Sequence, residues 1–203
     1  MKLVQWMCVG MLVAGMAMAQ EKVGYVDMNE LFESYYKTVN ANIGFEQKKH
    51  EVDDKLSVLR KGVEDLFREL KKLEEEARND LLAQNVREEA ANKLKTRAEI
   101  FEQKRAEFDR ERQNSLQQLR RIQMEAESTL VEELRKAVRN HATANGYTHV
   151  VDISGQTMNR IPVFLVYPEK QSITAQLIAE VNKGHEQELT EAKAKLEKIK
   201  AGK

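Results

Sequence analysis

Residues 52–77 read VDDKLSVLRKGVEDLFRELKKLEEEA, and this stretch decides the fold. Its apolar side chains recur in alternating steps of four and three residues, at Val52, Leu56, Leu59, Val63, Leu66, Leu70, Leu73 and Ala77. Such a heptad seam drives two helices to wind around each other as a left-handed coiled coil. The residues from Val63 to Asn145 also contain no Gly and no Pro, which leaves few places for loops. The sequence therefore predicts a long coiled coil.

A second, weaker seam follows and supplies the partner helix. Leu94, Ala98, Phe101 and Phe108 keep heptad spacing, and an apolar face returns between residues 119 and 138. Three polar residues fall where the seam calls for apolar ones, namely Arg105, Arg112 and Ser115. Between the seams, residues 79–85 (NDLLAQN) carry Asn and Asp side chains of the kind that stabilise turns. We therefore predict an antiparallel hairpin arm over residues 46–139, in preference to one continuous helix of about 115 residues or ~170 Å.

Short strand-like segments flank the arm. Val23–Val26 is β-prone, and Asp27 follows it as a helix N-cap with Glu30 three residues on. After Asn145-Gly146, residues 147–153 and 163–167 are expected to form two further strands. The fold class is therefore α+β and mostly helical, with a small β-containing body formed by residues 20–45 and 140–184.

The chain after residue 167 is expected to close the body with one helix. Its apolar positions are Ile173, Leu177, Ile178 and Val181, and either Ser172 or Thr174 is expected to cap it. The charged extension 185–203 is helix-prone and is expected to be loosely attached.

The first residues have the features of an export signal. Lys2 precedes an apolar stretch, and the small residues Ala17 and Ala19 occupy the positions that signal peptidase reads. Cleavage is expected before Gln20, which would place the protein in the periplasm. Cleavage removes Cys8, the single cysteine, so no disulfide holds the remaining chain together. A small body of this kind needs tight packing or association with other chains.

Composition and motifs exclude several functions. Basic and acidic residues balance at 33 each, which argues against a nucleic-acid binder. His50, His141, His149 and His185 lack metal-ligand spacing, and we expect them at the surface. No nucleophile elbow and no phosphate-binding loop is present. The sequence therefore predicts no enzyme activity, no metal and no cofactor.

Both ends of the chain resemble a known family. Residues 22–32 (KVGYVDMNELF) are similar to the opening strand and helix of the Skp (OmpH-like) periplasmic chaperones, and residues 150–152 and 172–178 resemble its closing strand and last helix. The resemblance implies a homotrimer whose strands form one β-body, with three arms enclosing a cavity. The cavity would hold unfolded outer-membrane proteins without ATP. The residues expected in the assembly body are Val23, Tyr25, Val26, Val150, Val151 and Ile153.

The charge distribution along the arm allows two interpretations of residues 93–121. Residues 93–121 carry nine basic and five acidic side chains, a local excess of +4. This stretch is either a solvated face with helical ion pairs such as Arg105–Asp109 and Glu107–Arg110, or a wall that attracts acidic parts of a client. The second interpretation assigns client binding to Phe101, Arg105, Phe108 and Arg112. The slightly acidic tip, residues 71–93, argues against contact with anionic lipid or lipopolysaccharide.

One other function class remains open at this point. A helical hairpin in the cell envelope is also typical of a structural adaptor or scaffold protein. Such a protein is expected to carry lipoyl-like or barrel domains on both sides of its hairpin, and the sequence shows neither.

Overall fold

The structure is a computed structural model, and it describes residues 21–202. The predicted signal peptide and its cleavage site lie outside these residues. The elements in chain order are β1 (Val23–Val26), α1 (Met28–Ser34), α2 (Tyr36–Arg78), α3 (Gln84–Ala144), β2 (His149–Asp152), α4 (Thr174–Val181) and α5 (Glu186–Lys200). A short 3-10 turn covers Glu169–Gln171. The prediction of a mostly helical α+β fold with one long hairpin is confirmed.

Helices α2 and α3 form the hairpin, and the heptad seam of α2 faces α3. Val52 and Leu56 are buried against Leu119, and Leu73 is buried nearer the reversal. The middle of the seam is more open than predicted, since Leu66 is only half-buried. Two interhelical ion pairs, Lys55–Glu111 at 2.6 Å and Arg97–Glu69 at 3.0 Å, join the helices outside the seam.

The polar positions of the second seam behave differently from one another. Ser115 is buried, and its hydroxyl donates to Glu111 at 3.2 Å. Arg105 and Arg112 stand at heptad positions, as predicted, but both residues are exposed rather than packed in the seam. A long arginine side chain can leave such a position because its aliphatic part reaches outward and carries the guanidinium into water.

The chain reverses at residues 79–83, as predicted. The Asn79 side-chain oxygen accepts from the Leu81 amide at 3.0 Å, and the Asn79 carbonyl accepts from the Leu82 amide at 3.0 Å. Asp80 pairs with Arg87 at 2.9 Å, which ties the turn to the first residues of α3. The turn therefore depends on the side-chain hydrogen bonding that favours Asn and Asp in such segments.

The body is a two-stranded parallel sheet packed on helices. Val23 of β1 pairs with His149 of β2, and Val26 pairs with Asp152. Asp27 caps α1 as predicted, because its carboxylate accepts from the Glu30 amide at 2.9 Å. The core beneath the sheet is made of Val26, Leu31, Leu134, Ile173 and Leu177, all nearly inaccessible to solvent.

Three expectations for the C-terminal part are wrong. Residues 163–167 form no strand, because no strand within residues 21–202 lies beside them; the Val163 amide donates to the Gly155 carbonyl at 2.9 Å. Neither Ser172 nor Thr174 caps α4, since Ile173 holds the cap position and the Thr174 hydroxyl instead accepts from the Asp27 amide at 2.9 Å. The extension after residue 184 is not loose, because α5 packs along α2.

Candidate client-binding arm and assembly surface

Phe101 lies on α3 at a shallow cavity on the side of the arm. Its ring centroid is 6.1 Å from that of Phe67 on α2, with the planes inclined by 36°. Phe67 remains 47% exposed, and the Lys71 ammonium lies 4.9 Å from its ring centroid. The cavity measures about 400 Å³, with Val63 and Arg68 on its rim. This aromatic pair therefore closes the seam only partly and presents a ring to the surface.

Phe108 lies one heptad further along α3 and is half-buried. It packs against the cluster of Val52, Leu56 and Leu119, which leaves one side of the ring outward. The guanidinium carbon of Arg112 lies 6.0 Å from the ring centroid, and Arg112 also pairs with Asp109 at 3.6 Å. A cation above an aromatic ring contributes weakly when exposed to water.

Arg105 is exposed, and within residues 21–202 it makes no ion pair. The two helical pairs expected for this stretch do not form. Glu107 instead pairs with Lys104 at 2.7 Å, and Asp109 pairs with Arg112. Of the two arginines predicted to bind clients, Arg112 is therefore paired with a carboxylate and Arg105 is not, within residues 21–202.

The four predicted residues share one face of α3. Phe101, Arg105, Phe108 and Arg112 follow each other in steps of four, three and four, which places them in a stripe about 16 Å long. Aromatic and cationic side chains alternate along it. We call these four residues the α3 stripe.

The arm also carries exposed apolar side chains that the sequence analysis did not assign to client binding. They are Val58 and Phe67 on α2, Leu81 at the reversal, and Leu116 and Met124 on α3. These positions lie outside the heptad seams, so a search for apolar residues off the seam would have found them. Single exposed apolar residues are common, but here they are spread along an arm that is also densely charged.

A groove on the body is larger than the cavity beside Phe67 and Phe101. It lies between α3, the start of α1 and the sheet, measures about 690 Å³, and has Phe32, Val131, Val138, Tyr147 and Val150 among its apolar lining. Of the residues predicted for assembly, Val26 lies in the core of the single chain. The other five, Val23, Tyr25, Val150, Val151 and Ile153, are half-buried.

A run of exposed apolar side chains lies elsewhere on the same body. Between residues 161 and 166, Leu165 is 77% and Val166 is 88% exposed, and Ile161, Val163 and Phe164 also reach solvent. We call residues 161–166 the apolar run. Contiguous exposed apolar surface of this kind marks an interaction site in a soluble protein.

Several titratable side chains of the body form hydrogen bonds that join its helices. His141, expected at the surface, is buried, and its Nδ1 lies 2.8 Å from Glu180 Oε2 on α4. Glu133 accepts from Lys37 at 2.8 Å and from the Tyr35 hydroxyl at 2.9 Å, and the Lys37 hydrogen bond lowers the pKa of Glu133. Within residues 21–202 no cluster of His, Cys, Asp and Glu has the form of a metal site, and no helix there is apolar enough to cross a membrane.

Comparison with known proteins gives one result that bears on these surfaces. A family model described as "Outer membrane protein (OmpH-like)" matches residues 22–181, well over half of the chain. No curated protein matches the chain significantly. The matched residues run from β1 to the end of α4, so they include the arm, the groove and the apolar run, and they stop before α5.

Proposed function

Because the chain belongs to the OmpH-like family, whose members are periplasmic chaperones of outer-membrane proteins, we propose that it is a holdase for unfolded outer-membrane β-barrel proteins. It would bind them between helical arms, without ATP, and keep them from aggregating in the periplasm. The family is one of chaperones rather than enzymes.

The surface of the arm is the observation that carries this proposal. Exposed apolar side chains such as Val58, Leu116 and Met124 are dispersed among helical ion pairs rather than gathered in one pocket. Strands of outer-membrane barrels alternate apolar and polar residues and differ widely in sequence. A protein that binds many such sequences needs scattered, adaptable contacts, each of them weak.

We assign the strongest of these contacts to the α3 stripe. Its two half-exposed phenylalanine rings offer apolar contact, while Arg105 and Arg112 offer charge to acidic segments of a client. Arg105 is available for this role because no carboxylate of the described chain pairs with it.

We further propose that the working form is a homotrimer joined through the body. The apolar run and the groove beside β2 are both uncovered in one chain, and burying them removes apolar surface from water. In the described part of the chain no strand pairs with the outer edge of β2, and an unpaired edge readily accepts a strand from another chain. Residues 163–167 have a strand-like sequence but no strand beside them within residues 21–202, so they suit this place in a neighbouring copy.

Suppression of aggregation tests the holdase directly. An outer-membrane barrel protein is unfolded in urea and diluted into buffer with or without the chain, in the absence of ATP, and light scattering is followed. We expect scattering to fall as the chain approaches one trimer per client, whereas an equal mass of an inert helical protein leaves it unchanged. Equal scattering with the chain and with the inert protein would reject the proposal and favour a scaffold role.

A further inference from the structure

Helix α5 lies beyond the residues that the family model matches. The match ends at residue 181, whereas α5 covers Glu186–Lys200 and packs along α2. Ala192 and Leu196 of α5 and Val39 and Ile43 of α2 bury each other to below a tenth of their surface. The contact between α5 and α2 is thus a well-packed apolar interface, even though most of α5 is charged.

The contacts also show in which direction α5 runs. At its start the ring of His185 stacks on Tyr36, with centroids 3.9 Å apart and planes inclined by only 6°. One turn later Asn40 donates to the Glu188 carboxylate at 2.7 Å, and Leu196 packs further along, in the cluster of Ile43. Helix α5 therefore follows α2 away from the body. Its 15 residues rise about 22 Å, roughly a third of the length of α2.

The N-terminal end of α5, which begins beside Tyr36, is fixed to the body. Asn182, which follows α4, is buried; its side-chain oxygen accepts from the Tyr36 amide at 2.8 Å, and its nitrogen donates to the Ser34 carbonyl at 2.9 Å. Gly184 then turns the chain toward α2 with φ of +82°, a conformation that favours glycine. The connection from the body core to α5 is therefore short and hydrogen-bonded at its beginning.

This arrangement matters because α2 is not continuous with the helix before it. Helix α1 ends at Ser34 and Tyr35 is extended with ψ of 129°, so α2 begins at the root of the arm, whereas α3 continues from the arm as far as Ala144. Long helices curve gradually along their length. A root of three packed helices has a larger cross-section than one of two, and it resists such bending more strongly.

We infer that α5 is a brace that fixes the direction of the arm relative to the body. With α5 docked on Val39 and Ile43, the arm leaves the body at one angle. With α5 released, the root has two helices and the arm samples a wider range of angles. In the proposed trimer the brace would limit how far the arms spread around a client; that consequence rests on the proposed function, whereas the brace itself does not.

Distances measured within one chain test the brace. Cysteines are placed at Glu169 in the body and at exposed Val58 on α2, beyond the end of α5, in a Cys8→Ser background, and are spin-labelled. Labelled chains are mixed with an excess of unlabelled ones, so that pulsed electron paramagnetic resonance reports one chain only. The brace is released by Ala192→Asp, which places a charge in the buried contact. Ala194→Asp is the matched control, because Ala194 lies on the exposed side of the same helix.

The expected result is a distance distribution about twofold wider in Ala192→Asp than in the parent, since release allows the root to bend. Ala194→Asp should match the parent, and truncation after Gly184 should reproduce the wide distribution. Hydrogen exchange of α5 shows in parallel which variants have released it. A parent-like distribution in the truncated chain overturns the brace. Because no client takes part, that outcome leaves the holdase proposal untouched.

Discussion

A single leucine at the junction of arm and body is expected to carry much of the stability. Leu134 on α3 is 1% exposed and packs in the core with Leu31 and Leu177. Leu134→Ala should lower the free energy of unfolding by about 2–5 kcal/mol, because it removes buried methyl groups and leaves a cavity. Urea unfolding followed by circular dichroism measures the change. Leu116→Ala on the same helix is the control, since Leu116 is 49% exposed; an equal loss in both variants would contradict the placement of the core.

Glu133 gives the body a stability that depends on pH. Its pKa is lowered first by the hydrogen bond from Lys37, so the contribution is present above the ordinary carboxyl pKa and is lost as pH falls through the depressed value. The parent should therefore lose more stability than Glu133→Gln between pH 7 and pH 3. Denaturant unfolding at the two pH values measures the difference. Glu132→Gln, a neighbouring residue that contacts only exposed arginines, should lose as much as the parent, and a Glu133→Gln that does the same would show that the Lys37 contact is unimportant.

Single residues differ in how far the sequence reveals their partners. The Asp27 cap was predictable because the carboxylate and the Glu30 amide it accepts from are three residues apart. The Asn182 clamp was not, because its partners at Ser34 and Tyr36 lie almost 150 residues away and nothing local marks them. The prediction that His141 lies at the surface was wrong for the same reason, since its burial depends on α4 folding back onto the end of α3.

At the scale of elements, the α3 stripe makes a testable difference to client binding. Arg105→Glu with Arg112→Glu should weaken retention of acidic unfolded clients at low salt, because the double change replaces two cations of the stripe with anions. The effect should shrink as salt rises, since the screening length is about 8 Å at 0.15 M. Both residues are exposed, so helicity should stay at the parent level, and circular dichroism checks this. Retention is measured by co-migration of client and chain on a sizing column.

A second double variant separates position from net charge. Arg110→Glu with Arg121→Glu makes the same change in charge on the same helix, but both positions lie about 140–160° around the helix from Arg105. This variant should retain clients nearly as well as the parent. Equal loss in the two double variants would mean that overall charge, and not the stripe, holds the client; no loss in either would make the stripe a solvated face.

Elements with a regular apolar period were predictable from the sequence, whereas the helix against which such an element packs was not. The seam from Val52 to Ala77 predicts a coiled coil by itself, because an unbroken heptad pattern of apolar residues is typical of that structure. Helix α5 has a similar but shorter stripe, with Leu189, Ala192, Leu196 and Ile199 in steps of three, four and three. That stripe was a readable signal for docking, yet it does not say which helix it meets. The α3 stripe could be listed from the sequence, but only the structure separates its exposed arginines from its half-buried rings.

At the scale of the whole molecule, the predicted strand 163–167 is absent, and most of its residues belong to the apolar run. Residues 163–167 have the β-branched and aromatic composition of a strand, yet no strand lies beside them within residues 21–202. Local propensity and tertiary structure would agree if a second copy supplied the missing neighbour, so we expect assembly to restore the strand. The disagreement between sequence and structure at these residues is therefore a reason to test for assembly through this segment.

This argument leads to a prediction about assembly. Light scattering of the parent should give three chains per particle at micromolar concentration. Leu165→Asp should shift the particle toward single chains, because a charge in the buried centre of an interface costs several kcal/mol. Its secondary structure should persist, since Leu165 is 77% exposed and is outside the core of its own chain. Leu81→Asp is the matched control: the residue type and the change are the same, but Leu81 is 94% exposed at the far end of the arm, where the trimer should be unaffected. A trimer that survives Leu165→Asp, or a parent that is a stable monomer, would mean that the apolar run faces a partner other than a second copy.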